Sequence, residues 1–219
     1  MTVRGKFDYD LKTLRQKLLE IGGLAEIALS QSIEAFQTKN IDQALDVIER
    51  DSQIDMLEEE INDFAILLIA KQQPVAIDLR RIIVAIKIAT DIERIADFAV
   101  NIAKATIRIG EQPFVMEIEK IVRMHNIALE MVSLGLKAYY EEDVALARKI
   151  SDMDDEVDEL YGQIMRDLMQ LTKMNQENFS QMNLLSLIAR YIERTADHAT
   201  NLAEHVVYLV KGRHYDLNS

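Results

Sequence analysis

Glu93, Asp97 and Asn101 follow one another at intervals of four, and Glu193, Asp197 and Asn201 repeat the series 100 residues later. On an α-helix, four residues turn the chain only about 40° past a full circle. Each trio therefore makes one strip of oxygen-bearing side chains on one helix face. Two more pairs share the interval, Asp51 with Asp55 and Asp154 with Asp158. Like charges at i and i+4 oppose each other by roughly 0.2–0.5 kcal/mol in an isolated helix. The chain accepts that cost in both halves. The line Ile82, Ile86, Ala89, Glu93, Asp97 runs from apolar to acidic on one face, as does Met182, Leu185, Ala189, Glu193, Asp197. Carboxylates bordering packed surface need cations or a basic partner. An all-oxygen donor set suits magnesium, manganese or iron and disfavours structural zinc. Two readings stay open from the residues: metal or basic-partner binding, or a solvated face balanced by Arg94 and Arg194.

Other chemistries lack their residues. Ferritin-like di-iron bundles carry a Glu-x-x-His motif, but Ala96 and Ala196 stand three residues after Glu93 and Glu193. His198 and His205 lie on the last helix and are expected at a surface or interface rather than as ligands. No Gly-rich phosphate loop occurs, and no Ser and His form a triad arrangement. The tyrosines of the second half (Tyr139, Tyr140, Tyr161, Tyr191, Tyr208) and the ten methionines read as packing residues. No catalytic residue is assigned.

The elements that position the acids are helices. Apolar residues recur with helical spacing in six long segments, and only 7 Gly and 2 Pro interrupt the chain. The first segment runs from Asp8 to Thr38, with Gly22-Gly23 as the place for a bend. Asn40 caps a second, with Gln43 three residues on as in a capping box, and this helix reaches Lys71. Gln73-Pro74 breaks the chain. A third helix runs from Pro74 to Ile109, where Gly110 caps it and Pro113 stops it. The fourth spans Phe114 to Tyr140. Asp143 caps the fifth, which ends near Lys173. Asn175–Asn178 turn the chain, and the sixth helix reaches Lys211.

The halves match in sequence. At an offset of 103, Ala35, Phe36, Asn40, Ile41, Ala44, Val47, Asp51, Ile54 and Asp55 fall on Ala138, Tyr139, Asp143, Val144, Ala147, Ile150, Asp154, Val157 and Asp158. At an offset of 100, Ile92-Glu93-Arg94 falls on Ile192-Glu193-Arg194, and Ala96-Asp97, Ala99, Asn101 and Ala103 fall on their counterparts. The fold class is all-α: two tandem antiparallel three-helix bundles related by internal duplication. The units are 1–111 and 112–219.

Composition limits the partners. The net charge is −12, which repels phosphate backbones and argues against nucleic acid. Cysteine is absent, so disulfides and thiolate chemistry are excluded. The most apolar stretches, Phe64–Ala70 and Ile82–Ala89, fall short of the roughly 20 residues that cross a bilayer. The N-terminus leads into no long apolar run. A soluble, cytoplasmic protein without membrane insertion is expected.

Three stretches resemble the PhoU family. Ala70-Lys71-Gln72-Gln73-Pro74 with Asp78-Leu79-Arg80 looks like that family's signature between the second and third helices. Ile92-Glu93-Arg94-Ile95-Ala96-Asp97 resembles its first acidic motif. Tyr191 to Asn201, with Val210-Lys211-Gly212, resembles its second motif and C-terminus. The resemblance implies a negative regulator of phosphate uptake and of the phosphate-starvation two-component response. It implies a non-enzymatic, homodimeric adaptor between the ATPase of a phosphate ABC transporter and a sensor histidine kinase. It also implies metal at the acidic motifs, with Glu93, Asp97, Glu193 and Asp197 as first ligands. Asp51, Asp55, Asp154 and Asp158 come next, then Asn101 and Asn201. The family commonly has Gly before the motif Asp. Ala96 and Ala196 stand there instead, and their methyls are expected to restrict close helix approach. The alternatives are a carboxylate-bridged metal store or a metalloenzyme.

Overall fold

The computed structural model of the chain describes residues 3–174 and 178–214. It consists of six helices: α1 (Val3–Thr38), α2 (Ile41–Gln72), α3 (Ala76–Ile109), α4 (Glu119–Glu141), α5 (Val144–Met174) and α6 (Phe179–Lys211). The expected turn at Asn175–Asn178 falls, except for Asn178, outside the described residues. In each repeat three helices pack on one another, α1 with α2 and α3, and α4 with α5 and α6. The repeats join through α3 against α6 and α1 against α4. Helices α2 and α5 touch only helices of their own repeat.

The helical period decides what is buried. On α1, Leu14, Leu18, Ile21, Ala25, Leu29, Ile33 and Phe36 recur every three or four residues, and all are buried. Burying a side chain of Leu or Ile size is worth roughly 1.5–3 kcal/mol, so this stripe fixes which face of α1 turns inward. One apolar core runs through both repeats. Ala96 and Ala196 are fully buried in it, so the packing accommodates the two methyls.

The duplication extends to hydrogen bonds. Lys39 and Glu142, at equivalent positions, both take left-handed conformations, with φ of 55° and 53°. The next residue in each repeat reverses the chain: Asn40 N–H donates to the Ala35 carbonyl at 3.0 Å, and Asp143 N–H to the Ala138 carbonyl at 2.9 Å. Asn40 Oδ1 then accepts from Gln43 N–H, and Asp143 Oδ1 from Ala145 and Leu146 N–H. The expected capping box is half formed, because the Gln43 side chain donates to Glu34 instead of turning back. Gly110 ends α3 at φ 64°, as its position predicts.

One expectation needs correction. Helix α4 begins at Glu119, five residues beyond Phe114. Contacts far along the chain hold residues 113–115 out of the helix: Gln181 accepts from Val115 N–H at 2.8 Å and donates to the Pro113 carbonyl at 3.0 Å. The apolar spacing of 114–118 serves packing rather than a helix. Gly22 lies within α1, which is helical from Val3 to Thr38. A Cβ there would lie 2.6 Å from Leu136 Cδ1 on α4, so this glycine admits the other repeat.

His125 on α4 is 1% exposed, and neither ring nitrogen reaches a hydrogen-bond partner of good geometry. Burial pushes its pKa down to about 4 from 6.5, against weaker pulls from the Leu29 carbonyl and Asn126. The folded chain thus holds His125 neutral while the unfolded chain protonates it below pH 6.5. This contribution is present above that pH and is lost as the pH falls toward 4. Between pH 7 and pH 5 it amounts to about 2 kcal/mol. His125→Leu is expected to flatten the urea-denaturation stability profile over that range by this amount. An unchanged slope would show that the ring finds a partner.

Candidate functional site

Helix α3 meets three neighbours with three different faces. One face carries Glu93 and Asp97 toward α2, where Asp51, Asp55 and Glu58 wait. The electrostatic couplings show the gathering: Asp51 feels Asp55 and Asp97, and Glu93 feels Asp97, Asp55 and Glu58. The second repeat builds the same arrangement between α6 and α5. There Asp154 feels Asp158, Asp197, Asp155 and Glu193. The pairs on the middle helix of each repeat and the motif on its last helix thus share one acidic patch, twice over.

The patches are crowded rather than balanced. Burial first, and neighbouring carboxylates second, push Asp51 up to about 6 and Asp154 up to about 7 from 3.8. The same two causes push up Glu93, Glu193 and Asp197. Counter-charge differs between the patches. Arg94 reaches Glu93 at 3.5 Å and Asp97 at 3.3 Å. Arg194 lies over the Phe98 ring of the other repeat, 5.4 Å from its centroid, yet its charge still opposes the rise of Glu193 and Asp197, helped by Arg190 at Glu193 and His198 at Asp197.

Glu58 is an acid that the reading of the sequence left out. It accepts from Asn62 Nδ2 at 2.6 Å and from Thr90 Oγ1 at 3.1 Å. Its signal was present, because Glu58 follows Asp55 by three on the same helix face. Asp155 joins the second patch, and nothing in its spacing marked it.

Asn201 points elsewhere. Its Nδ2 donates to Asp91 Oδ1 at 3.3 Å across the contact between the repeats. His198 Nδ1 meets the same oxygen at 2.8 Å, and His205 Nε2 meets Asp91 Oδ2 at 3.0 Å. Burial alone would raise the Asp91 pKa, but its two histidine partners hold it below the usual value. The histidines lie at the interface between the repeats, one of the two places expected for them. They are half-buried and clamp a buried carboxylate that the reading of the sequence did not single out. Asn101 is half-buried one turn beyond Asp97 and has no equivalent cluster. Its repeat has Phe98 and Ala105 where His198 and His205 stand, and Phe98 stacks on Tyr191, the counterpart of Asp91, at 6.2 Å.

An all-carboxylate patch offers hard oxygen donors, which fits magnesium, manganese or iron in chemistry. The side chains as placed do not close a shell. Among the described residues, no three His, Asp or Glu groups are set to hold a metal ion. A cation bound here would draw the carboxylates inward and relieve their mutual repulsion. A basic side chain from a partner would do the same.

The crowding makes a measurable prediction. Between pH 3.8 and about 7 the unfolded chain has lost the Asp154 proton while the folded chain keeps it. The contribution of this carboxyl is therefore complete below pH 3.8 and lost as the pH rises through 7. Asp154→Asn, which removes the charge, is expected to raise the melting temperature at pH 8 by about 3 °C. That corresponds to about 1 kcal/mol after solvent screening is allowed for. A lower melting temperature at pH 8 would contradict the crowding.

The sequence profile of the PhoU domain matches residues 18–106 and 121–206, one match for each repeat. The phosphate-specific transport system accessory protein PhoU homolog of Clostridium acetobutylicum is 36% identical over 213 residues, covering 97% of each chain. The accessory protein PhoU of Escherichia coli K12 is 33% identical over 218 residues, covering 97% of this chain and 88% of its own. Among solved structures, PhoU from Pseudomonas aeruginosa superposes with a TM-score of 0.92 at 31% identity, over 94% of this chain and all of that one. The phosphate transport system regulatory protein PhoU from Streptococcus pneumoniae gives 0.90 at 28% identity, over 96% of this chain and 99% of that one. With both repeats matched and relatives aligned along nearly the whole length, the chain belongs to the PhoU family.

Proposed function

We propose that this chain is a non-enzymatic regulator of phosphate transport. It acts as a helical adaptor between the ATPase of a phosphate ABC transporter and the sensor histidine kinase of the phosphate-starvation response, and it holds both uptake and response down. The observation that carries the reading is the duplicated acidic patch on a chain related end to end to phosphate transport accessory proteins. Two equivalent charged surfaces in one polypeptide suit a protein that engages two partners. No described helix is long and apolar enough to cross a membrane, so contact with membrane components would be made through their exposed domains.

In a pull-down, the chain is expected to retain both the kinase's cytoplasmic domain and the transporter ATPase at micromolar concentrations. If neither is retained, the adaptor reading falls. Glu193→Gln with Asp197→Asn is expected to weaken one of the two interactions and leave the other, because the first patch is intact.

Metal binding is the finer part of the proposal. Asp51, Asp55, Glu93 and Asp97 would hold a cation in the first patch, and Asp154, Asp158, Glu193 and Asp197 in the second. Elemental analysis after exposure to iron, manganese or magnesium is expected to find metal retained by the wild type. Glu93→Ala with Asp97→Ala is expected to lose about half of it, since it removes one of two equivalent sites. Wild-type protein that emerges metal-free would make both patches partner surfaces.

A further inference from the structure

The two repeats close equivalent corners differently. At one corner Phe114 from the linker packs on Phe36, with ring centroids 5.0 Å apart, and Lys39 Nζ lies 4.6 Å over the Phe114 ring. Gln181 grips the linker backbone on both sides of Phe114. The repeat offsets give counterparts for these residues: Tyr139 for Phe36, Glu142 for Lys39, Arg81 for Gln181 and Leu11 for Phe114. All four counterparts line a cleft of about 310 Å³, together with Asp8, Lys12, Leu14, Arg15 and Leu209. The filling is missing there for a plain reason. Helix α1 starts at Val3, so Leu11 belongs to a helix and not to an extended linker that could fold into the corner.

The chemistry of the open corner has also changed. Arg81 pairs with Glu142 at 3.2 Å and Asp78 at 3.5 Å, so its charge is largely used. Arg15 lies over the Tyr140 ring at 4.4 Å and pairs with no carboxylate among the described residues. Lys12 makes no ion pair with a described residue either. Tyr139 is 6% exposed, and its hydroxyl makes no hydrogen bond to a described residue. Burial pushes its pKa up to about 12, so the phenol keeps its proton and can donate. The hydroxyl oxygen is not one of the buried polar atoms that lack a partner, so this donor faces the cleft. On a chain of net charge −12, two unpaired cations and that donor face one solvent-open cleft.

A terminal phosphoryl group presents three oxygens, which matches an ammonium, a guanidinium and a phenol as donors. The carboxylates of Asp8 and Glu142 at the same cleft disfavour polyanions and leave room for one phosphoryl charge centre. We propose that this cleft binds the phosphoryl group of a small ligand, inorganic phosphate or a phosphate monoester, through Lys12, Arg15 and Tyr139. The site lies apart from the acidic patches, and it stands whether or not the chain is an adaptor.

Direct binding to the full chain tests it. Isothermal titration calorimetry with inorganic phosphate and with glucose 6-phosphate is expected to show saturable binding of one ligand per chain. Tighter binding of the ester assigns the site to a phosphorylated metabolite; tighter binding of inorganic phosphate assigns it to the free ion. Tyr139→Phe restores the residue type found at the equivalent corner and removes only the hydroxyl. It is expected to weaken binding about tenfold, as is Arg15→Gln. Lys12→Gln, at an exposed position, supplies a variant that leaves the core untouched, and it too should weaken binding. No saturable binding by either probe up to about 10 mM would overturn the proposal. So would acetate or sulfate binding as tightly as phosphate, or affinity unchanged in all three variants.

Discussion

The antiparallel contact between α3 and α6 is the constraint on which the rest of the molecule depends. Arg80 donates to the Leu209 carbonyl at one end of it, and Asp91 takes His198, Asn201 and His205 near its middle. Phe98 and Tyr191 stack where symmetry repeats that position. Glu93 follows Asp91 by two residues, roughly 200° around the helix. A helix that turns Asp91 to its partner must therefore turn Glu93 away. The same geometry on α6 sends Glu193 and Asp197 toward α5. The seam thus assigns each acidic strip to the middle helix of its own repeat and keeps the two patches apart.

Inside each patch, electrostatics and packing pull in different directions. Apolar burial brings α2 onto α3 and α5 onto α6, and the carboxylates arrive with them. Fully exposed carboxylates would be screened, while half-buried ones repel and hold protons they would otherwise lose. The imbalance is greater in the second repeat, where Asp154 is pushed up to about 7 and its counterpart Asp51 to about 6. Repeats that began alike in sequence have diverged in how much charge they leave unanswered.

What could be read in the sequence follows a physical line. Helix ends were legible where the signal is local: Asn40, Asp143 and Gly110 act within a few residues of themselves. The duplication was legible because equivalent corners need equivalent residues. The convergence of Asp51 and Asp55 with Glu93 and Asp97 followed from helical spacing and an antiparallel bundle. Long-range partners were not legible. Asp91 is 107 residues from His198 and 114 from His205, and no periodicity links them. Gln181 unwinds the start of α4 from 66 residues away, so the helical spacing of Phe114, Val115 and Ile118 misled.

The outer position of α2 and α5 has a dynamic consequence. Each is held only by its own repeat, and each supplies half of a mutually repelling set of charges. Opening either helix would leave the seam whole, so these are the natural units of partial unfolding. Repulsion lowers the free energy of such opening, and anything that neutralises the acids raises it. Occupancy of a patch would thus be written into the rigidity of one outer helix, a form in which a binding event can be read at a distance without any displacement of the average structure.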